Sequence, residues 1–159
     1  IDKLRESGAV IETDENSMHI ASGGCITAVD AVTAVYPGFP TDMQAQWMSL
    51  MCVSRGSAVI TDTVFHDRFT HVAELKRLGA DITLDHNVAV IKGVEQLSGA
   101  PVMSTDLRAS ACLILAGLIA EGTTHISRIY HIDRGYEYIE KKLGNLGAST
   151  RRESEKLVV

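Results

Sequence analysis

Asp42 and Asp106 each follow a threonine at the head of an apolar run, and Arg108 lies two residues beyond the second of them. Thr41 and Thr105 read as N-caps, which puts both aspartates in first helical turns, where the helix dipole favours a carboxylate. A helix-start device accounts for that much on local grounds. Arg108 does not fit it, because a cation in a first turn opposes the dipole and demands an anion. Helix N-termini with arginine forks are natural phosphate or carboxylate sites. Asp67-Arg68 and Asp133-Arg134 add two cations at matching places. Either arginine could close a salt bridge with its neighbour's carboxylate, while Gly135 beside Arg134 leaves room for a ligand to approach. The chemistry in view is anion binding with a proton acceptor close by.

Other chemistries lack their residues. The six histidines are scattered, and His66 and His71 are five apart, wrong for two ligands on one helix face, so no metal is expected. There is no glycine-rich phosphate loop and no G-x-S-x-G; Ser22-Gly23-Gly24-Cys25 reads as a loop between strands. Cys25, Cys52 and Cys112 have no metal-type spacing, and two of them lie in apolar helical runs as buried thiols. A net charge of −5 with no basic cluster beyond Arg151-Arg152, itself read as a solvated terminus, speaks against a nucleic-acid partner. The Ala109–Ala120 apolar stretch is too short to span a bilayer, so neither membrane nor signal peptide is expected, and the localisation is expected to be cytoplasmic.

The elements that hold these residues come twice. Thr105-Asp106 repeats Thr41-Asp42 after 64 positions. Each copy continues with an apolar run, a short strand, an Asp-Arg pair, a charged helix and Leu-Gly-Ala. The repeats cover approximately residues 36–100 and 101–159, and 1–35 is the end of a preceding unit, so 1–159 reads as a single partial domain. A composition of 45% hydrophobic and 22% charged residues is globular. A helix, a glycine stop and a hairpin recur at 4–21, 78–90 and from 146 onward. The hairpin strands alternate, with Ile82 and Leu84 as the dry face and Val88 and Val90 likewise two apart. Met43–Val53 and Leu107–Ala120 are apolar nearly all round and belong in an interior. Helices inside and half-wet sheets outside is the predicted α/β architecture. The Asp2–Gly8 segment reads as the last turns of a helix, and the chain as a piece of something longer.

With these elements set out, Tyr36 through Gln46 (YPGFPTDMQAQ), Thr63–Phe69 (TVFHDRF), Thr105–Ser110 (TDLRAS) and Ile129–Tyr136 (IYHIDRGY) together resemble the enolpyruvyl transferase family. Within it they are most similar to the UDP-N-acetylglucosamine 1-carboxyvinyltransferases. The match runs in register over nearly the whole chain and corresponds to the C-terminal part of a family member. The resemblance implies an inside-out α/β prism of βαβαββ units, two domains in the whole protein, and substrates in the cleft between them. It implies transfer of the enolpyruvyl group of phosphoenolpyruvate to the 3′-hydroxyl of UDP-N-acetylglucosamine with release of phosphate, in peptidoglycan synthesis. No cofactor is implied, since phosphoenolpyruvate is a substrate. Asp42 would meet the sugar hydroxyl as catalytic base, Val64 and Phe65 would line the nucleotide-sugar site, and Asp106, Arg108 and Arg134 would form the phosphoenolpyruvate side.

The family's reactive cysteine belongs to a loop of the other domain, and Cys25, Cys52 and Cys112 do not match its motif. The chain alone is therefore expected to be inactive, with the missing N-terminal domain as its partner in cis. Two other readings stand beside this one. The sister 5-enolpyruvylshikimate-3-phosphate synthase fits the two Thr-Asp motifs poorly. A noncatalytic module of the same fold would not need Asp42, Asp106, Arg108 and Arg134.

Overall fold

The computed structural model describes residues 1–22 and 24–153. Its recurring punctuation is glycine. Helix α1 (Asp2–Glu6), helix α3 (His71–Arg77) and helix α5 (Ile139–Asn145) each run into a glycine at positive φ: Gly8 at 99°, Gly79 at 94° and Gly147 at 93°. That left-handed stop releases the chain at the same angle each time. After Gly8 comes the antiparallel hairpin β1 (Ala9–Thr13) and β2 (Met18–Ser22), and after Gly79 the hairpin β5 (Asp81–Asp85) and β6 (Val88–Lys92). After Gly147, residues 148–153 form no strand; the rest of that third copy lies outside the described residues.

The two repeats share a topology. In the first, β3 (Ala31–Val32), helix α2 (Gln44–Met51) and β4 (Ser57–Thr61) form a parallel β–α–β unit, and α3 with the β5–β6 hairpin completes a sheet of order β3-β4-β6-β5. In the second, β7 (Pro101–Met103), helix α4 (Leu107–Ile119) and β8 (His125–Ser127) repeat the parallel unit, followed by a 3₁₀ segment, Ile129–Arg134, and α5.

Helices lie inside. Met48, Met51, Cys52, Cys112, Leu113 and Ala116 are all fully buried where α2 packs on α4. Across that contact the Ser49 hydroxyl donates to the Cys112 carbonyl at 2.8 Å, which satisfies that buried polar side chain. Burial pushes the Cys52 and Cys112 thiols up to about 12, which leaves both protonated and unreactive. The sheet supplies the other wall through Ala58, Ile60, Ile82, Ala89 and Ile91.

Three expectations change. The dry face of β6 is Ala89 and Ile91, whereas Val90 is 43% exposed on the outer face; Leu84, one residue from the hairpin turn, is exposed as well. The repeating pairs Val59–Val90 and Val90–Thr83 show why alternation misled: both faces of β6 are apolar, and register decides which is buried. Helix α4 is interior only over Ala109–Leu113 and Ala116, with Leu115, Leu118 and Ile119 exposed on its later turns. Neither threonine is an N-cap. Thr41 opens a 3₁₀ turn, Thr41–Met43, and α2 proper begins at Gln44. Asp106 itself caps α4, accepting from the Arg108 and Ala109 amides at 2.8 and 3.1 Å. The cap is one residue later than the preference for threonine suggested, because aspartate is the better acceptor.

Two stability measurements follow from this core. Leu113→Ala removes a fully buried side chain from the α2–α4 seam and is expected to lower unfolding free energy by about 2–5 kcal/mol in chemical denaturation. His71 is buried, stacked on Phe69, with Nε2 3.3 Å from the Met48 sulfur. Desolvation drives its pKa from 6.5 to about 4, against a smaller opposing pull from Asp106. The folded value lies below the unfolded one, so stability is whole above pH 6.5 and falls as pH drops toward 4, by on the order of 3 kcal/mol. His71→Phe should make that slope shallower in pH-dependent denaturation; an unchanged slope would place its origin elsewhere.

Candidate functional site

The seam between α2 and α4 delivers both helix starts to one end of the molecule. The 3₁₀ turn Thr41–Met43 leads into α2 and carries Asp42; the first turn of α4 carries Arg108. Asp42 Oδ1 accepts from Arg108 Nε at 2.5 Å, lies within ion-pair distance of its Nη2, also at 2.5 Å, and stands 3.7 Å from Arg68 Nη1. Two guanidinium groups from different repeats therefore converge on one carboxylate oxygen. The Asp42 side chain is 68% exposed, whereas those of Arg108 and Arg68 are largely buried.

Arg68 comes from the segment between β4 and α3. Its guanidinium lies over the Phe65 ring at 3.6 Å, a desolvating platform that holds the cation in place. Its Nη1 is buried and has no hydrogen-bond partner, with the Asp42 contact too long to serve as one. A buried, unsatisfied guanidinium N–H is costly, and it suits an acceptor supplied from outside the chain. Val64, Phe65, His66, Asp67, Arg68, Thr70 and Asp106 surround an open cavity of about 540 Å³ beside this group.

Asp106 is split between two duties. Its Oδ1 is committed to the first-turn amides of α4, while its residue borders the cavity. The reading of both aspartates as helix-start devices thus holds for Asp106 and not for Asp42, whose carboxylate faces arginines. Thr105, relieved of capping, bonds the Thr70 hydroxyl at 2.9 Å and ties the two repeats at the cavity edge.

Neither Asp-Arg pair closes on itself. Arg68 turns to Asp42 instead of Asp67, and Asp133 is taken by Arg152, through Nη1 at 3.0 Å and Nη2 at 2.7 Å. Those hydrogen bonds hold the Asp133 carboxyl below the usual carboxylate range and the Arg152 guanidinium above its own. Arg152 also reaches Glu140 at 3.4 Å, so it is no solvated terminal charge but the link between the 3₁₀ segment and α5. Among the described residues, no carboxylate lies within ion-pair distance of Arg134. The 3₁₀ segment bearing it packs on α4, where Gly135 admits Leu107: a Cβ there would meet the leucine methyls at 3.1–3.2 Å. Arg134 stands on an element adjoining the start of α4, while Asp42, Arg108 and Arg68 form the contacting cluster with Val64, Phe65 and Asp106 around the cavity.

Sequence reading missed one residue here. Asp62 directly follows β4 and is fully buried, and Thr61-Asp62 is one of four Thr-Asp pairs in the chain, with Thr13-Asp14, Thr41-Asp42 and Thr105-Asp106. A carboxylate closing an apolar strand was the available signal.

A family model described as EPSP synthase (3-phosphoshikimate 1-carboxyvinyltransferase) matches residues 1–143. The chain is 58% identical over 152 residues to a UDP-N-acetylglucosamine 1-carboxyvinyltransferase of Desulfosudis oleivorans, and 62% identical over 151 residues to one of Xylella fastidiosa. These alignments take in 96% and 94% of this chain but 36% of each relative, so the chain spans little more than a third of their length. Among solved structures, the enolpyruvyl transferase NikO from Streptomyces tendae superposes with a TM-score of 0.85 at 28% identity, over 94% of this chain and 35% of that one. EPSP synthase from Acinetobacter baumannii superposes at 0.56 with 18% identity, over 79% of this chain and 31% of its own, a likeness of fold alone. The family match over residues 1–143 and the NikO superposition agree with the repeated units described above: the chain belongs to the EPSP synthase (3-phosphoshikimate 1-carboxyvinyltransferase) family.

Proposed function

We propose that this chain is the C-terminal part of a UDP-N-acetylglucosamine 1-carboxyvinyltransferase, serving peptidoglycan synthesis in the cytoplasm. The observation that carries the reading is the 58–62% identity to enzymes of that name across nearly the whole chain. The convergence of Asp42, Arg108 and Arg68 supports it, because the reaction needs those groups together.

Attack of the sugar 3′-hydroxyl on C2 of phosphoenolpyruvate forms a C–O bond and frees a proton, which Asp42 accepts as general base. C3 gains a proton, and the product is a tetrahedral ketal carrying both carboxylate and phosphate. Elimination then breaks the C2–O bond to phosphate, and C3 gives up a proton to restore the double bond. Charge builds on the phosphate as it leaves. Arg108 and Arg134 face it as fixed cations, with Asp106 setting the helix start that presents Arg108. Val64 and Phe65 offer an apolar edge for the nucleotide-sugar. No cofactor enters; both reactants are substrates. Arg108 holds Asp42 while no anion is present, and the donor's anionic groups compete for it.

The test is phosphate release by the full-length protein carrying this chain, with phosphoenolpyruvate and either UDP-N-acetylglucosamine or shikimate 3-phosphate. Turnover with the nucleotide-sugar alone is expected. Turnover only with the shikimate acceptor would transfer the reading to the sister enzyme, and none with either would remove it. In the active protein, Asp42→Asn should lower kcat by roughly 10²–10⁴-fold. Arg108→Ala should raise KM for phosphoenolpyruvate by roughly 10–100-fold, the loss of one charged hydrogen-bonding group. The chain without the rest of the protein should release no phosphate, since the cysteine-bearing loop of the proposed other domain is not in it.

A further inference from the structure

Asp62 takes no part in the chemistry above, yet it is the most heavily bonded side chain at this end of the molecule. Its Oδ1 accepts from the Thr33 hydroxyl at 2.7 Å and from the Val64 and Phe65 amides at 2.9 and 2.8 Å. Its Oδ2 accepts from the Thr41 hydroxyl at 2.7 Å. The residue is fully buried. Burial would raise its pKa, but the Phe65, Thr33, Thr41 and Val64 donors outweigh that and keep the carboxyl below its ordinary value.

The backbone of Asp62 is anchored separately. Its N–H donates to the Asn87 carbonyl, and its carbonyl accepts from the Asn87 amide, both at 3.0 Å, so the turn of the β5–β6 hairpin grips it. Thr33 is gripped in turn by the Thr63 amide at 3.0 Å. Asp62 is therefore a point fixed to the sheet, from which two separate pieces of the site hang. One is Thr41, whose next residue is Asp42. The other is the Val64-Phe65 turn, on whose ring Arg68 rests. Arg68 and Asp42 then face each other at 3.7 Å and close the ring of contacts.

We infer that Asp62 is the positioning residue of this site, holding Asp42 and the Val64-Phe65-Arg68 segment at a fixed separation through Thr41 and the two turn amides. It acts through those neighbours and meets no substrate. A carboxylate suits the task because four donors converge on it, more than a neutral side chain can accept at one point. The geometric claim stands on these contacts, and only its kinetic consequence rests on the proposed transferase reaction.

Three variants test it. Thr41→Val keeps the shape of the side chain and removes its hydroxyl; Thr41→Ser restores a hydroxyl; Asp62→Asn alters both attachments. In amide NMR spectra of the chain, Thr41→Val is expected to shift residues 42–43 while leaving Val64 and Phe65 in place, and Asp62→Asn to shift both groups. In the full-length protein, Thr41→Val should lower kcat about tenfold or more, the worth of one hydrogen bond to a charged group, with KM for phosphoenolpyruvate within about twofold. Thr41→Ser should return most of that loss. Wild-type kcat in Thr41→Val, or a Thr41→Ser as impaired as Thr41→Val, would overturn the inference. So would an Asp62→Asn spectrum in which Val64 and Phe65 do not move. Should Asp62→Asn fail to fold, the two Thr41 variants decide the outcome. A wild-type protein inactive with both substrates would sink the proposed function, and the spectra would still decide the positioning.

Discussion

The contact between α2 and α4 is the constraint on which everything else rests. The two helices occupy the same place in successive repeats, and packing them side by side brings their N-terminal ends level. Asp42 and Arg108 are 66 residues apart in sequence and meet only because that seam is filled by Met48, Met51, Cys52, Cys112, Leu113 and Ala116. Sulfur-bearing and small side chains allow close approach, and the Ser49 hydroxyl spends itself on the Cys112 carbonyl. A cavity or a stray polar group in the seam would therefore be felt at the ion pair, far from the substitution itself.

Duplication gave the site its asymmetry. Each repeat delivers a threonine, an aspartate and a helix start to the same end, but the local bonding differs. In the second copy Asp106 caps α4 and Thr105 reaches across to Thr70. In the first, Thr41 is drawn to Asp62, the helix begins three residues later, and Asp42 is left facing outward toward two arginines. One aspartate is consumed by structure and the other is available for chemistry. The difference comes from Asp62, the residue that follows β4 in the first repeat.

Much of this was legible in the sequence. The repeat, the glycine stops after α1, α3 and α5, and the buried character of α2 all follow from periodicity and residue type, whereas the contact between Asp42 and Arg108 appears only in the fold. What could not be read depends on register and distant partners. β6 is apolar on both faces, so only its pairing with β4 and β5 tells Ala89 and Ile91 from Val90. Arg152 sits among charged residues near the tail, and nothing local says that Asp133, 19 residues earlier, will take both of its nitrogens. Asp62 was hidden because a lone acidic residue after a strand has many ordinary explanations. Its meaning lies in Thr33, Thr41, Val64 and Phe65, which only the fold assembles.

The central claim is that one guanidinium is shared between the carboxylate of Asp42 and an incoming anion. The Nε–Hε resonance of Arg108 in a heteronuclear NMR spectrum reports on it directly. It should be slowed in exchange by the Asp42 bond, lose that protection in Asp42→Asn, and shift when phosphoenolpyruvate is added to the full-length protein. An Arg108 signal indifferent to both changes would contradict the account.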